Sequence, residues 1–484
     1  MTAPSPTLER RLGSLDATAL VVGSMIGSGI FIVSAESARL VGSPGWLLVA
    51  WALAGLMTIT GALSCAELAA MFPSAGGQYV FLREAYGPAV AFLFGWALLL
   101  VFQSGTIAAV AVAFGNFLGV LVPAISSDRF LVRPIVLGHY AFSLSTQQAA
   151  AIASILLLTH LHTRGLAVGR AIQNTLTAIK TTALLGLIVL GLVLGWNASS
   201  AAVASPWWHS AAVPAGGLAF ALVLGRATVG PLFAQTAWTN VTFIGEEVRD
   251  PGRTLPRALA RGCIIVVGLY LLANVAYVVT LPLDTIQHAP GNRVGTATMA
   301  AILGPAGTVL MAAAIVISTF GANNGLTLAG ARVSYAMARD GLFFSRIGRL
   351  NARHVPAAAL WAQGIWASLL TLPRTAAVDP TTGAVTFGNV YSQLIEYIVP
   401  ADLALCGLMV AAVVVLRRRS PDAARPYRTW GYPAVPILYV LLAACLILDL
   451  GYVAPATSGI GYAIVLAGVP AYVMWRRRAR RVLV

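Results

Sequence analysis

Apolar runs recur along the chain from about residue 15 to about residue 475, and only short polar stretches interrupt them. A membrane-spanning helix needs about 20 predominantly apolar residues. Runs of roughly this length predict twelve spanning helices, at 14–42, 45–71, 84–121, 148–163, 171–196, 217–247, 258–282, 297–337, 355–373, 387–416, 433–450 and 458–475. Several runs are longer than one crossing requires, which indicates tilted or interrupted helices.

The predicted spans divide the chain into an ordered series of segments. A short N-terminal segment (1–13) precedes five spans (14–196), a second block of five spans (217–416), two further spans (433–475) and a basic tail (476–484). The longest stretch between spans, Val122–Thr146, is too short to hold a hydrophobic core of its own. No soluble domain is therefore expected, and the predicted class is an all-α integral membrane protein.

Two spans carry polar and glycine-rich segments at mid-membrane depth. The first span contains GSMIGSGIF (Gly23–Phe31), and the sixth contains GPLFAQTAWTN (Gly230–Asn240). Each begins a block of five spans, and interrupted helices at matching positions in two halves indicate a transporter built from inverted repeats. An interruption frees N–H groups on one side and C=O groups on the other, the partners that an amino-acid carboxylate and ammonium need. The alternative for Gly23-x-x-x-Gly27 is close helix packing.

The charge distribution excludes some classes of protein. Only 10% of the residues are charged, against about 25% in an ordinary soluble domain. The net charge of +15 could suggest a nucleic-acid partner, but the arginines lie mainly in the two terminal segments and in alternate loops. The richest clusters are Arg249 to Arg261, Arg339 to Arg353, Arg417 to Arg428 and Arg476 to Arg481. This bias predicts a cytoplasmic (inner) membrane protein with both termini cytoplasmic, in contact with anionic membrane lipid and without a nucleic-acid partner.

Six segments resemble motifs of the amino acid–polyamine–organocation (APC) superfamily, in the family's order and over most of the chain. They are GSMIGSGIF, ALSCAELAAMFPSAGGQYVFLREAYGP (Ala62–Pro88), IQNTLTAIK (Ile172–Lys180), FAQTAWTNVTFIGEEVRDPGRTLPRAL (Phe233–Leu259), GANNGLTLAGARVSYAMARDG (Gly321–Gly341) and RPYRTWGYP (Arg425–Pro433). The likeness is greatest to the L-type amino acid transporter branch, in a prokaryotic-like form.

The resemblance implies a LeuT-like fold, with two inverted five-helix repeats, discontinuous helices 1 and 6, and two C-terminal helices. It implies a secondary active transporter that works by alternating access and no enzyme activity. The expected function is sodium-independent uptake or exchange of neutral L-amino acids. The alternative is a transporter or antiporter of cationic amino acids or polyamines.

The resemblance also assigns candidate substrate-binding residues, which are Met25, Ile26, Gly27, Ser28, Gly29, Phe233, Thr236 and Ala237. By position, the substrate carboxylate would lie on the backbone N–H groups and hydroxyl around Gly27–Gly29. The ammonium would meet backbone carbonyls near Met25, Phe233 and Thr236, and Phe233 would be an aromatic gate. The sequence departs from the L-type pattern after Phe233, where Gln235, Thr236 and Ala237 replace a pair of glycines and their Cβ atoms narrow the pocket.

Lys180 is the only lysine in the chain, and it lies in the fifth predicted span. It follows Arg170 by ten residues, or roughly 15 Å of helix, which is too deep for easy snorkelling. By resemblance, a lysine here stands where sodium-coupled relatives bind sodium, and it is the candidate coupling residue. Either it titrates during transport, with protons as the coupling ion, or it braces helix 1 against helix 5; passive pairing is the structural alternative.

Three more ionisable residues are candidates at membrane depth. Arg226 lies two helical turns before Phe233 and could attract an anionic group or pair with a carboxylate or lipid phosphate. Asp402, with Glu396 in the same span, could recognise a substrate side chain or pair helices. Glu67 and the Glu246–Glu247 pair are expected to form a cytoplasmic charge lattice with nearby arginines.

Cysteine and histidine positions predict neither a disulfide framework nor a metal site. The four cysteines, Cys65, Cys263, Cys406 and Cys445, all fall inside predicted spans. The loop Val122–Thr146, where heteromeric relatives carry a cysteine for a partner subunit, has none, so no disulfide-linked heavy subunit is expected. His160 and His162 lack a third ligand, so no metal or other cofactor is expected.

Overall fold

The computed structural model describes residues 12–74, 76–164, 166–210, 217–353, 355–378, 385–453 and 455–482. The predicted terminal segments lie partly outside this range. Helices dominate because a chain this apolar, when placed in lipid, must satisfy its backbone N–H and C=O groups within each segment.

The α-helices follow one another with short connections. They are α1 Ser14–Met25, α2 Gly29–Val41, α3 Pro44–Met71, α4 Gln78–Tyr86, α5 Pro88–Ala97, α6 Gln103–Leu121, α7 Thr146–Thr163, α8 Leu166–Leu194, α9 Ala201–Ala204, α10 Gly217–Ala234, α11 Pro251–Thr280, α12 Leu283–Gln287, α13 Val294–Arg339, α14 Ala357–Leu370, α15 Val390–Arg419, α16 Ala434–Val453 and α17 Pro455–Val482. A π-helical turn, Leu98–Phe102, joins α5 to α6, and 3₁₀ helices cover Thr236–Glu247 and Pro290–Asn292.

The described residues contain nine helices that are long and apolar enough to cross a membrane, and the bent pair α1 and α2 brings the number to ten. The prediction of many spans is thus confirmed in its coarse form. The other two predicted spans, 148–163 and 355–373, correspond to α7 and α14, which pack against each other. α14 has only 14 residues. α7 carries glutamines at its start and histidines at its end, which lower its hydropathy.

The third and eighth predicted spans each contain a glycine with positive φ that breaks or bends the helix. The third, 84–121, begins inside α4, and Gly87 at φ 91° separates α4 from the span proper. The eighth, 297–337, lies in α13, whose 46 residues exceed one crossing. Gly304 at φ 64° followed by Pro305 bends α13 near its start, because this conformation favours glycine and proline lacks the N–H.

The two segments singled out from the sequence, Gly23–Phe31 and Gly230–Asn240, each interrupt a helix. α1 ends at Met25 and α2 begins at Gly29, with a 45° change of direction. α10 ends at Ala234, and the chain continues as a 3₁₀ helix after Gln235, whose φ and ψ are −109° and 3°. α2 and α3 pack on α10, while α11 packs on α1 and α3, so both interruptions lie inside the helix bundle.

A four-stranded antiparallel sheet joins two distant loops outside the bundle. Its order is β1 Phe130–Leu137, β2 Tyr140–Ser145, β3 Pro373–Val378 and β4 Val385–Phe387. Phe142 pairs with Pro373, which joins the loop after α6 to the loop after α14. The all-α expectation omits this sheet, because its central pairing joins strands far apart in sequence and leaves no local pattern to read.

Ion pairs hold together the arginine-rich end, which we define as the end that carries Arg249, Arg339, Arg417 and Arg425. Arg417 donates two hydrogen bonds to Glu67, of 2.9 and 2.7 Å, and Glu67 also accepts from the backbone N–H of Thr429 at 2.7 Å. Arg332 pairs with Glu247 at 3.0 Å. The charge lattice expected for Glu67 and Glu247 is therefore present.

Candidate functional site

The break between α1 and α2 buries its own residues. Met25, Ile26, Ser28 and Gly29 are buried, and Gly27 is half-buried. No side chain caps the first turn of α2, for which Ser28 is the N-cap residue. Because the first N–H groups of a helix have no partner within that helix, this end of α2 offers donors to an anionic group.

The two glycines that flank Ser28 have different surroundings. A Cβ atom on Gly27 would meet nothing closer than the Met25 carbonyl oxygen, at 3.8 Å. A Cβ atom on Gly29 would lie 2.6 Å from the Cβ atom of Ala234. Gly29 is thus a point of close contact between the two interrupted helices, whereas Gly27 faces open space. Close packing was the alternative raised from the sequence for Gly23 and Gly27. Gly23 packs on Thr177, where a Cβ atom would lie 2.9 Å from Thr177 Oγ1, and Gly27 makes no such close contact.

The carbonyl groups around the break between α1 and α2 accept hydrogen bonds from neighbouring helices. Lys180 in α8, fully buried, donates from Nζ to the Gly23 carbonyl. The Tyr270 hydroxyl in α11 donates to the Met25 carbonyl at 2.8 Å. Tyr277, two turns along α11, donates to the Ile30 carbonyl at 3.2 Å. The Met25 carbonyl, predicted to meet a substrate ammonium, thus already has one protein donor and keeps one lone pair.

The second interruption lies directly against the first. The Thr236 hydroxyl donates to the Phe233 carbonyl at 3.0 Å, and both Thr236 and Ala237 are half-buried. Gln235 is 1% exposed, and neither polar atom of its amide has a hydrogen-bond partner among the described residues. Of the three residues that replace the glycine pair, Gln235 is thus the buried one.

Tyr391 joins the two interruptions from a third helix. It lies in the first turn of α15, and its ring meets Phe233 edge-on, with centroids 6.0 Å apart and planes at 90°. Its hydroxyl shares a 3.3 Å hydrogen bond with Ser28 Oγ. Sequence analysis did not identify Tyr391, because a tyrosine at a helix start belongs to no motif. The structure therefore brings Ser28, Phe233 and Tyr391 together at one point.

Arg226 lies beyond that point, towards the end opposite the arginine-rich one. It lines a cavity together with Glu36, Gly230, Tyr391, Ser392 and Glu396. The Ser392 hydroxyl donates to Glu36 at 2.8 Å, which ties α15 to α2 across this cavity. Neither Glu36 nor Ser392 was singled out from the sequence.

Asp402 is not brought to the break. It lies eleven residues, or about 16 Å of helix, after Tyr391 in α15. Its half-buried carboxylate accepts from the Cys406 thiol at 3.6 Å. Gln78 donates to the same sulfur at 3.6 Å. Asp402 thus belongs to a polar cluster between α4 and α15 in this conformation.

No group of three or more histidine, cysteine, aspartate or glutamate side chains in the described part of the chain could hold a metal ion. His162 is buried with Nε2 3.0 Å from the Asn324 carbonyl oxygen, whereas His160 is exposed. All four cysteines are free, and three of them are buried.

Comparison with known proteins assigns the family. The protein family described as amino acid permease matches residues 12–473 of the chain. The chain belongs to the amino acid permease family. It is therefore a multi-pass membrane protein of the APC superfamily and a transporter rather than an enzyme, which confirms the resemblance read from its motifs.

Relatives of known function agree with this assignment. The permease is 27% identical to the human cystine/glutamate transporter over 480 residues, which are 98% of this chain and 87% of the relative. It is 28% identical to the mouse large neutral amino acids transporter small subunit 2 over 484 residues, 98% of this chain and 83% of the relative. It is 28% identical to the human b(0,+)-type amino acid transporter 1 over 444 residues, 91% of this chain and 82% of the relative. All three names describe transport of amino acids, which is the function that the comparisons support for the permease.

Proposed function

We propose that the permease is a secondary active transporter that carries neutral L-amino acids across the cytoplasmic membrane by alternating access. The observation that carries the proposal is the meeting of two interrupted helices beneath the Phe233 and Tyr391 rings. An amino acid presents a carboxylate and an ammonium close together, and a pair of broken helices supplies both hydrogen-bond donors and acceptors. The fold proposed is the LeuT-like one of twelve helices, in which α7 and α14 are the two shorter spans.

The substrate carboxylate binds, on this proposal, at the first turn of α2. The uncapped N–H groups of Gly27, Ser28 and Gly29 and the Ser28 hydroxyl supply the donors. The open space at Gly27 supports this position, because a carboxylate must approach the backbone closely there. The half-buried Gly27 and the buried Gly29 then have separate roles, in contact with substrate and in helix packing.

The substrate ammonium binds at the carbonyl groups of the two interruptions. Within the described part of the chain, the Phe233 carbonyl accepts one side-chain hydrogen bond, from Thr236 Oγ1, and the Met25 carbonyl accepts one, from Tyr270. Each therefore keeps a lone pair for the ammonium. Ile26 and Ala237 complete the walls of the proposed pocket.

Neutral substrates are favoured because the residues assigned to the pocket carry no charged side chain. Met25, Phe233 and Ala237 would frame the substrate side chain. Asp402 lies about three helical turns after Tyr391 along α15. A fixed charge in a poorly solvated pocket is the usual means of selecting a charged side chain.

Lys180 supports sodium-independent transport. Its ammonium already occupies the region behind α1 and donates to the Gly23 carbonyl, where a bound cation would otherwise satisfy that group. Two mechanisms follow from this position. In proton symport the ammonium loses and regains its proton in each cycle, and in obligatory exchange it keeps its proton and braces α1 against α8.

We further propose that both termini face the cytoplasm and that no heavy subunit is attached by a disulfide. The arginine-rich end is the cytoplasmic one under the positive-inside rule. Val122–Thr146 has no cysteine, and residues 130–145 of this loop form a β-hairpin that pairs with β3.

The test is flux in proteoliposomes that contain the purified permease, with labelled L-leucine, L-alanine, L-glutamine, L-glutamate, L-lysine and putrescine as probes. Sodium-free buffers, with and without a pH gradient and with and without internal amino acid, separate symport from exchange. Uptake of neutral L-amino acids without sodium is expected. Transport of none of the probes, or a strict sodium requirement, would contradict the proposal.

A second candidate is transport of cationic amino acids or polyamines with Asp402 as the selecting carboxylate. The half-buried position of Asp402 favours it, because such a carboxylate at membrane depth normally has a functional partner. Selective loss of L-lysine or putrescine flux in Asp402→Asn would establish this candidate in place of the first.

A further inference from the structure

An unpaired guanidinium lines the cavity on the outer side of Tyr391. Arg226 makes no hydrogen bond and no ion pair with any residue that the structure describes, although it lies in the middle of α10. An ionised group at such a position is costly unless something compensates it. Tyr391 also lines this cavity, and along α10 Arg226 lies farther from the arginine-rich end than Phe233 does.

A negative group, the Glu36 carboxylate, lines the same cavity. Glu36 lies in α2 and accepts from the Ser392 hydroxyl through Oε2, and its carboxylate has further acceptor positions. Arg226 in α10 and Glu36 in α2 line one cavity, with Gly230 and Val33 in contact between their helices. A cavity lined by one positive and one negative side chain offers both partners that an amino-acid zwitterion needs, a cation for its carboxylate and a carboxylate for its ammonium.

Asp449 explains how the guanidinium is tolerated when the cavity holds no anion. It lies in α16, is 7% exposed, and neither of its oxygens has a hydrogen-bond partner among the described residues. It packs on Gly225, the neighbour of Arg226, and Arg226 acts on it electrostatically although no ion pair joins them. Arg226 is thus held near a fixed counter-charge without being bonded to it, and its five N–H donors stay available.

From these observations we propose that the cavity is an outer amino-acid site, distinct from the central pocket. The substrate carboxylate binds the Arg226 guanidinium, and the ammonium faces the Glu36 carboxylate. The two sites are about 10 Å apart along α10, the rise from Arg226 to Phe233, and Tyr391 forms the partition between them. A substrate that arrives from this end stays here until Phe233 moves away from Tyr391.

The inference rests on the proposed function. A comparison of KM for substrate entry from each face of the membrane tests the outer site separately from that function. In proteoliposomes of uniform orientation, KM is measured from each face for L-leucine, L-alanine and L-glutamine. Arg226→Gln should raise KM about tenfold for entry from the cavity face, because a charge-assisted pairing is lost. KM for entry from the arginine-rich face should stay within about twofold, since that substrate does not pass the outer site before it reaches the central pocket.

Three further variants sharpen this test. Arg226→Lys keeps the charge but loses the two-pronged geometry, so its KM at the cavity face should be intermediate. Glu36→Gln preserves shape and the bond from Ser392, and it should raise KM at the cavity face alone. Arg133→Gln removes a positive charge from the exposed β1 strand at the same end and should change neither value.

Each outcome decides the matter. An equal rise of KM at both faces would place Arg226 in the central pocket or in the scaffold and would overturn the outer site. Unchanged KM at both faces for Arg226→Gln and Glu36→Gln would overturn it as well. Failure of the wild type to transport any of the three amino acids would remove the proposed function first. If Arg226→Gln does not fold, Glu36→Gln carries the same comparison of the two faces.

Discussion

The hydroxyl of Tyr391 lies 3.3 Å from Ser28 Oγ, and this one hydrogen bond connects α15 to the break between α1 and α2. Because the same ring meets Phe233 edge-on, Tyr391 contacts both interrupted helices at once. The three side chains form a layer between the outer cavity and the proposed substrate pocket.

Tyr391→Phe tests the hydrogen bond separately from the ring. The variant keeps the edge-on contact with Phe233 and loses a neutral hydrogen bond, which contributes about 0.5–1.5 kcal/mol. We expect transport KM or Vmax to change by about three- to tenfold, measured with the labelled amino acids in proteoliposomes.

The control for this prediction is Tyr462→Phe in α17. Tyr462 donates to the Ile447 carbonyl of α16 at 3.2 Å. Its kinetics should match the wild type. Identical kinetics for Tyr391→Phe and Tyr462→Phe would remove the Ser28 hydrogen bond from any account of transport.

Gly27 and Gly29 give a matched pair of substitutions. Gly27→Ala places its methyl group in open space, so the melting temperature should stay near the wild-type value while amino-acid binding falls at least tenfold. Gly29→Ala should instead lower the free energy of unfolding by about 1–3 kcal/mol, because its methyl group overlaps Ala234.

Thermal unfolding and equilibrium binding in detergent separate these two effects. The double variant Gly29→Ala with Ala234→Gly should recover part of the stability, since it removes the methyl group that clashes. Native binding by Gly27→Ala would argue against a carboxylate site at the first turn of α2.

Lys180 should be required for transport in the absence of sodium. Lys180→Ala removes the donor to the Gly23 carbonyl and should strongly reduce flux. Lys180→Arg should not restore it, because the guanidinium is bulkier and does not deprotonate. Full flux in Lys180→Ala would refute a role for this residue in coupling, and the pH dependence of wild-type flux distinguishes proton symport from exchange.

Glu67 should stabilise the arginine-rich end. Its carboxylate is 1% exposed and pairs with Arg417 and with the backbone of Thr429. Glu67→Gln leaves Arg417 without its anion, and breaking a buried pair costs about 3–5 kcal/mol, reduced here because Arg417 is 21% exposed. We expect a lower melting temperature in detergent and faster labelling of cysteines introduced near this end. A wild-type melting temperature and a wild-type labelling rate would show that the Glu67–Arg417 pair does not stabilise the arginine-rich end.

Sequence patterns predicted the parts of this protein that depend on local chemistry. Helix interruptions at Gly23–Phe31 and Gly230–Asn240 follow from glycine, proline and polar residues in an apolar run, which is a local signal. A brace between Lys180 and α1 was one of the two alternatives that the family resemblance raised, and the contact with the Gly23 carbonyl fits it. The roles assigned to the site residues stay predictions.

Other features depend on pairings between distant parts of the chain, and these were not predicted. Tyr391 gains its position from the packing of α15 across the break, and Glu36 lines a cavity that several helices form together. Asp449 reaches the neighbourhood of Arg226 through the contact of α16 with Gly225 in α10. The β-sheet arises from strands in loops far apart in sequence. No single segment carries a pattern for such contacts, so the outer cavity could be found only in three dimensions.

The sheet outside the bundle also limits which helices can move. Gln393 in α15 accepts from the backbone N–H of Thr375 in β3 at 2.8 Å, and the hydroxyls of Tyr397 and Tyr140 are 3.3 Å apart. Hydrogen bonds therefore attach the first turns of α15 to the loop after α6 and to β3. We expect Tyr391 to keep its position during transport, while α2 and α10 move relative to it when the outer side opens.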